Sequence, residues 1–227
     1  MKREIITTAD GSRTIQITDW AEQYHSVHGA IQEAEHVYIT QGLQAILEAD
    51  TKINPIAILE IGFGTGLNAI LTLLAAKKYQ SNVRYTAVEA FPVSKDEIEQ
   101  LNYTALLTPK LAQAPYYAMH NTPWEQEVVI CPNFQLRKQQ KKFQDITVIN
   151  QFNLIYFDAF GPRVQPELWT ETIFLKMFQA LKPDGILVTY SAKGSVRRAM
   201  QAVGFTVERL PGPPGKREML RARKTSS

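Results

Sequence analysis

The sequence predicts an α/β fold in which a mostly parallel, twisted sheet carries helices on both faces. Short apolar runs bounded by glycine or an acidic residue are typical of buried parallel strands. These runs alternate with helix-like segments, the pattern of a sheet covered on both sides. The apolar runs are Ile56–Ile61, Val83–Val88, Asn153–Phe157 and Gly185–Tyr190.

The segments between the apolar runs predict the remaining elements. A strand is expected over Arg13–Ile17, and Phe134–Asp145 contains a strand candidate interrupted by the basic stretch Arg137–Lys142. No helix separates Phe205–Leu210 from Glu218–Arg223, so these two strands are expected to form an antiparallel C-terminal hairpin. The predicted helices are Ile31–Ala49, Leu67–Lys78, Lys95–Leu107 with Ser94 as N-cap, Pro166–Leu181 and Val196–Val203.

Length and composition limit the class of protein. With 227 residues, 44% of them hydrophobic and 21% charged, the chain suits one folded domain. We expect residues 1–50 to form an N-terminal extension packed on a core domain of residues 51–227. No apolar run is long enough for a membrane helix, and no signal peptide is visible, which favours a cytoplasmic setting. Cys131 is the only cysteine and the four histidines lack ligand spacing, so we expect no disulfide and no metal.

Charge is unevenly distributed along the chain. The net charge is +3, but residues 193–224 carry nine basic and two acidic side chains, which leaves the rest slightly acidic. A basic surface on an acidic body favours a polyanionic partner. A solvated, charge-rich tail is the alternative explanation.

A glycine-rich loop closes the first buried strand and opens a helix. Its sequence, Glu60-Ile-Gly62-Phe-Gly64-Thr-Gly66, differs from the G-x-G-x-x-G spacing of dinucleotide-binding loops. Glycines here permit a tight turn and a close approach of the backbone to a ligand. The spacing resembles the first motif of class I S-adenosylmethionine (SAM) methyltransferases. Another nucleotide-binding loop or a purely structural turn would also fit the glycines alone.

Three acidic residues follow predicted strands. Glu89 ends the second strand, where a carboxylate can accept hydrogen bonds from ribose hydroxyls in both NAD-binding and SAM-binding folds. Asp158 follows a central strand, at the edge where open α/β sheets bind ligands. Asp145 could accept the adenine amino group, although an aspartate there could equally cap a turn.

Several segments together resemble one family, the methyltransferase domain of the MnmC proteins. Members methylate the 5-aminomethyl group of the wobble uridine in certain tRNAs. The best-known members carry a fused flavin oxidase domain, for which this sequence has no room, so it resembles the stand-alone form. Ala159 stands where the family often has glycine. The matching segments are Glu60–Asn68, Val88–Pro92, Phe157–Pro162, Pro166–Trp169, Ser191–Arg198 and Gly215–Leu220, with a weaker likeness over Tyr24–Gly42.

The resemblance implies a SAM cofactor, the tRNA anticodon loop as partner and separate enzymes that supply the 5-aminomethyluridine. It implies Asp158 as the catalytic residue that orients the amine and accepts or relays its proton. The cofactor-binding residues would be Glu60, Gly62, Phe63, Gly64, Gly66, Asn68, Glu89, Asp145 and Asp158. The substrate-binding residues would be Tyr24, Phe160, Trp169, Arg197, Lys216 and Arg217, with Trp169 alternatively a packing residue.

Three other functions fit parts of the sequence. A SAM-dependent methyltransferase of a small-molecule amine would share the fold but leave the basic C-terminal region unexplained. A NAD-dependent oxidoreductase would share Glu89 but not the glycine spacing. A catalytically inactive RNA-binding protein would not require Glu60, Glu89 and Asp158.

Overall fold

A computed structural model describes residues 2–50 and 52–225. The strands, numbered in chain order, are β1 (Arg3–Thr7), β2 (Arg13–Ile17), β3 (Glu22–Gln23), β4 (Ile56–Ile61), β5 (Val83–Glu89), β6 (Glu127–Cys131), β7 (Phe134–Gln140), β8 (Phe152–Phe157), β9 (Leu181–Thr189), β10 (Thr206–Pro211) and β11 (Glu218–Arg223). The helices are α1 (Ala30–Ala34), α2 (Ala45–Ala49), α3 (Leu67–Lys78), α4 (Lys95–Gln100), α5 (Tyr103–Leu106), α6 (Pro109–Asn121), α7 (Glu171–Ala180) and α8 (Gly194–Ala202). A π-helical segment, Glu35–Gln44, joins α1 to α2, and 3-10 turns lie at Thr18–Trp20, Phe143–Asp145 and Pro166–Trp169.

The main sheet has eight strands in the order β10-β11-β9-β8-β4-β5-β7-β6. The five central strands, from β9 to β7, pair in parallel. The hairpin of β10 and β11 adds antiparallel strands at one edge, and β6 adds one at the other. The predicted mixed sheet with its C-terminal hairpin is therefore confirmed.

Two apolar layers cover the sheet because neighbouring residues of a strand point to opposite faces. In β8, Leu154 and Tyr156 pack with the Glu35–Gln44 segment and α3, α5 and α6 on one face. Ile155 and Phe157 pack with α7 and α8 on the other. Helices thus cover both faces, as predicted. Among the described residues, no helix is both long and apolar enough to cross a membrane.

The first strands form a separate small sheet beside the main one. The order is β1-β2-β3, with all pairs antiparallel. Arg13 N donates to Asn102 Oδ1 at 2.7 Å, and Asn102 Nδ2 donates to Gly11 O at 2.9 Å, so the small sheet is attached to the segment between α4 and α5. The division into domains at residue 50 stays a prediction.

Three sequence predictions were wrong in detail. The helix expected over Pro166–Leu181 begins only at Glu171, after a 3-10 turn over Pro166–Trp169 and the extended Thr170. The helix expected over Lys95–Leu107 is broken at Leu101, whose backbone is extended, and Asn102 is bonded to the small sheet instead. Strand β7 continues through Arg137 to Gln140 without the expected basic interruption. It does so because Lys138 is buried, with Nζ 4.8 Å from the centroid of the Trp124 ring. Strands β1, β3 and β6 and helix α6 had no counterpart in the predictions.

Candidate active site

A cavity of about 690 Å³ opens at the carboxyl ends of β4, β5 and β8. Open α/β sheets bind ligands at this edge. The floor consists of the glycine loop and the residues that end these strands, and the roof is formed by residues 20–28 of the small sheet and its following loop. The predicted residues that line the cavity are Tyr24, Gly62, Phe63, Gly64, Asn68, Glu89, Asp158, Phe160 and Lys216.

The glycine loop needs glycine at its two bends. Gly62 has φ +92°, and a Cβ there would lie 2.7 Å from the carbonyl oxygen of Asp158. Gly66 has φ +73°, and its Cβ would lie 2.8 Å from Nε2 of His120. Side chains at either position would both strain the backbone and displace a neighbour. The loop therefore holds the end of β4, the start of α3 and Asp158 in fixed relation.

Glu89 fastens the loop after β5 to the glycine loop. Its Oε2 accepts a hydrogen bond from Gly64 N at 3.1 Å, and its Oε1 accepts one from Phe91 N at 2.8 Å. Each carboxylate oxygen has a further lone pair, so Glu89 can still accept bonds from a ligand in the cavity.

Asn68 links two acidic side chains at the bottom of the cavity. Its Nδ2 donates to Asp158 Oδ2 at 2.8 Å and to Glu60 Oε1 at 3.0 Å. Glu60 is fully buried, whereas Asp158 faces the cavity. The amide therefore holds the orientation of the Asp158 carboxyl group at the cavity that it lines.

Burial changes the titration of both carboxyl groups. Loss of hydration raises the pKa of Asp158 to about 7, an effect that the nearby Glu33 strengthens and the Tyr38 hydroxyl and Asn68 weaken. Burial, reinforced by the charge of Asp158, raises the pKa of Glu60 well above its usual range. Glu60 accordingly favours its neutral form, and Asp158 can exchange a proton near neutral pH.

The aromatic residues divide between the cavity and the core. Tyr24 and Phe160 meet edge to face at 4.9 Å in the cavity wall, and Trp20 contacts Phe160 at 5.8 Å. Trp169 lies outside the cavity, buried against Phe157. Its Nε1 donates to the Phe160 carbonyl at 2.8 Å, so Trp169 supports the wall from behind. The structure thus places it as the packing alternative predicted.

The other predicted site residues are spread around the site. Glu60 and Gly66 lie beneath the cavity lining, and Asp145 is exposed outside it, while its neighbour Gln144 lines the cavity. Arg197 lies on α8 and is partly buried, whereas Arg217 follows the hairpin turn and is exposed. Neither borders the cavity.

A lysine that contacts phosphate is expected on the exposed surface, but Lys216 lies in the cavity wall. Its Nζ lies 2.5 Å from Glu33 Oε2 and 4.0 Å from the centroid of the Tyr190 ring, inside the cavity. The sequence analysis missed Glu33 and Tyr190. Tyr190 follows the end of a parallel strand, a signal that could have identified it, but Glu33 carries no such signal within its helix.

Comparison with known proteins finds relatives along the whole chain. Residues 125–225 match a family model described as S-adenosyl-L-methionine-dependent methyltransferase. A curated relative from Magnetococcus marinus, "tRNA 5-methylaminomethyl-2-thiouridine biosynthesis bifunctional protein MnmC", is 30% identical over 214 residues, which are 87% of this chain and 30% of that protein. The protein of the same name from Hydrogenovibrio crunogenus is 25% identical over 96% of this chain and 33% of its own length.

The crystal structure of MnmC2 from Aquifex aeolicus matches the fold of this chain with a TM-score of 0.80 and 22% sequence identity. The match covers 100% of this chain and 71% of the MnmC2 chain. This chain is a homologue of the MnmC methyltransferase domain. The homologue spans about a third of the length of the curated MnmC proteins it matches. A probable spermidine synthase from Corynebacterium glutamicum, at a TM-score of 0.54 and 18% identity, shares the fold.

The family and fold of this MnmC homologue imply SAM as cofactor. The site fits that molecule in two ways. The glycine loop leaves room for close approach, since a Cβ on Gly64 would lie only 3.1 Å from Tyr24. The Glu89 carboxylate lines the cavity and keeps lone pairs for hydroxyl donors such as those of a ribose.

Proposed function

We propose that this chain transfers a methyl group from SAM to the amine of 5-aminomethyluridine, or its 2-thio form, at the tRNA wobble position. The product is 5-methylaminomethyluridine. The observation that carries the proposal is the position of Asp158. It lines the same cavity as the glycine loop, Tyr24 and Phe160: its backbone carbonyl lies against Gly62, and its carboxyl group is bonded to Asn68. The names of the relatives support the tRNA substrate.

The cofactor half is assigned by its hydrogen-bonding groups. Glu89 would accept bonds from the two ribose hydroxyls, and Gly62 and Gly64 would face the amino-acid part. Gln144, rather than Asp145, borders the cavity where a base would lie. When bound, SAM supplies an electrophilic methyl group on a sulfonium.

Asp158 has a defined part in this chemistry. An alkylammonium has no free lone pair, so it must lose a proton before it can act as a nucleophile. The Asp158 carboxylate can orient the ammonium and accept that proton, because its pKa of about 7 makes both forms accessible near neutrality. Asn68 holds the acceptor carboxyl group in place. Positioning and electrostatics then supply the remaining catalysis.

The open half of the cavity suits an extruded base. A wobble nucleotide must leave its stack to reach a buried donor, and aromatic walls recover part of the unstacking energy. Tyr24, Phe160 and Trp20 form such walls. Exposed Lys193, Arg198 and Arg217, for which the described residues provide no ion pair, could contact phosphates together with Arg197.

The proposed substrate defines the neighbouring steps. An aminomethyl group on C5 of uridine must be supplied by a separate reaction, which places this protein late in the modification of the nucleotide. Because its partner is tRNA, we place the protein in the cytoplasm.

The decisive experiment is mass spectrometry of wobble nucleosides. Undermodified tRNA carrying 5-aminomethyluridine is incubated with the protein and SAM, and then digested. The proposal expects conversion to the methylaminomethyl nucleoside with the parent protein and loss of conversion with Asp158→Asn. Methylation of free polyamines without methylation of tRNA would support the small-molecule alternative instead.

A further inference from the structure

The Lys216 side chain points into the substrate half of the cavity from the turn between β10 and β11. Glu33 Oε2 holds its Nζ at 2.5 Å, and the ring of Tyr190 lies beneath it at 4.0 Å. These two contacts hold Lys216 at the cavity wall, and 31% of its side chain remains accessible to solvent.

The residues that hold Lys216 are themselves fixed. Glu33 Oε1 accepts a hydrogen bond from Ser26 N at 3.0 Å, and the Tyr190 hydroxyl donates to the Ala159 carbonyl at 2.8 Å. An ammonium group has three donors and no acceptor. Since Glu33 engages one of them, Lys216 retains donors for a ligand in the cavity.

Lys216 and Asp158 act on the same region of the cavity. Both side chains line the cavity, and Tyr190, whose ring lies beneath Lys216 Nζ, donates through its hydroxyl to the carbonyl of Ala159, the residue after Asp158. In agreement with this arrangement, the charge of Lys216 lowers the pKa of Asp158 and that of Glu33 raises it. When a ligand places a cationic group at Asp158, the Lys216 ammonium is a hydrogen-bond donor beside that cationic group. The ligand should therefore carry a hydrogen-bond acceptor on the atom next to the one that bears its cationic substituent.

5-Aminomethyluridine has this arrangement, because the carbonyl oxygen O4 is bonded to the ring carbon next to C5. Resting on the proposed function, we propose that Lys216 reads the base by donating a hydrogen bond to O4 while Asp158 holds the aminomethyl group. Cytidine presents an N4 amino donor at the same place. Lys216 cannot accept from that donor, so it selects uridine over cytidine.

A phosphate-binding role for Lys216 is disfavoured by its surroundings. Glu33 would repel a phosphate at Nζ, and this carboxylate is almost completely buried. Arg217, the next residue, is exposed and has no such partner among the described residues. The two adjacent basic residues therefore have different tasks.

The test uses two synthetic anticodon stem-loops that differ only in the wobble base, 5-aminomethyluridine or 5-aminomethylcytidine. Methyl transfer from SAM gives kcat/KM for each with the parent protein, Lys216→Met, Lys216→Gln and the exposed control Lys110→Met. The parent and control should favour uridine. Lys216→Met should lower kcat/KM for uridine by about 10- to 100-fold and change that for cytidine far less. Lys216→Gln should accept both bases, since an amide both donates and accepts.

The outcomes separate the two proposals. The ratio between bases is independent of the fraction of folded enzyme, so it remains valid if a variant is partly unfolded. If both Lys216 variants keep the parent's ratio, the base-reading role is wrong while the proposed function stands. If the parent methylates neither stem-loop nor the tRNA, the proposed function itself is wrong.

Discussion

Asn68 Nδ2 donates a 2.8 Å hydrogen bond to Oδ2 of Asp158. Asn68 lies in the first turn of α3, directly after the glycine loop, and Asp158 directly follows β8. The bond thus joins the element that would hold the cofactor to the residue that would hold the amine. Replacing either partner should affect the two ligands differently.

Asp158→Ala should lower turnover much more than SAM affinity, because its proposed contact is with the amine. Turnover is measured by methyl transfer to tRNA, and affinity by calorimetry with SAM. Equal losses in both would instead make Asp158 part of the cofactor pocket. Full activity would exclude any role for its carboxyl group.

Asp158→Asn should also change the pH dependence of stability. The pKa of Asp158 is raised from its usual 3.8 to about 7 in the folded protein. The folded state therefore binds more protons than the unfolded state between these values, so stability falls as pH rises from about 4 to 7. Above pH 7 the charged carboxylate destabilises the fold. Because Asp158 borders the cavity, the resulting loss in the free energy of unfolding is on the order of 2 kcal/mol.

The variant should accordingly be more stable than the parent at pH 8 and similar to it at pH 4. Chemical denaturation at both pH values measures the difference, with Asp96→Asn, an exposed change, as control. A stability difference that does not vary with pH would show that burial does not perturb Asp158.

Glu89→Ala should weaken SAM binding. Two charge-assisted hydrogen bonds to the ribose would be removed, each worth roughly 1.5–3 kcal/mol. The Gly64 and Phe91 amides would also lose their acceptor, which loosens the loop. Calorimetry should show the weaker binding for Glu89→Ala but not for the exposed control Glu48→Ala. Unchanged affinity would remove Glu89 from the cofactor site.

Trp169→Phe should weaken RNA binding, although residue 169 lies outside the cavity and does not contact the RNA. It removes the donor that holds the Phe160 carbonyl, at a cost of about 1–3 kcal/mol in the free energy of unfolding. A less rigid Phe160 should raise KM for tRNA several-fold and leave SAM affinity unchanged. Unaltered KM in a destabilised protein would confine Trp169 to the core.

The double change Arg198→Ala and Arg217→Ala should weaken tRNA binding and its dependence on salt. Removing a cation that neutralises one phosphate should reduce the slope of log affinity against log salt concentration by roughly 0.7–0.9. Filter binding at several salt concentrations measures the slope, with the exposed pair Lys52→Ala and Lys110→Ala as control. Identical slopes in both doubles would move the RNA surface away from the C-terminal region.

The central sheet and the grouping of the glycine loop with Glu89 and Asp158 around one cavity were predictable because their signals are local. Apolar runs, glycines and the acidic residues that follow strands lie within a few positions of one another, from Glu60 to Glu89 and again near Asp158. The substrate half was only partly predictable. Glu33 and Lys216 are 183 positions apart, and no local pattern indicates that they meet.

Two further differences arise from tertiary contacts that override local preference. Lys138 counts as a polar residue in a sequence pattern, yet its ammonium is covered by Trp124 and donates to the His120 carbonyl at 2.8 Å, so the strand stays buried. Helix α6 contains Pro115, which argues against a helix interior. It is held instead by tertiary bonds such as that from the Tyr116 hydroxyl to the Thr65 carbonyl at 2.8 Å.

The contact between Glu33 and Lys216 also determines when the protein can first work during its own synthesis. The segment that bears Glu33 leaves the ribosome early, but its partner is translated 183 residues later. Until then Glu33 lacks its cation, and the wall of the substrate pocket is incomplete. A nascent chain that has emerged only through β8 also lacks β9 and the hairpin of β10 and β11, so the sheet beside Asp158 is incomplete as well.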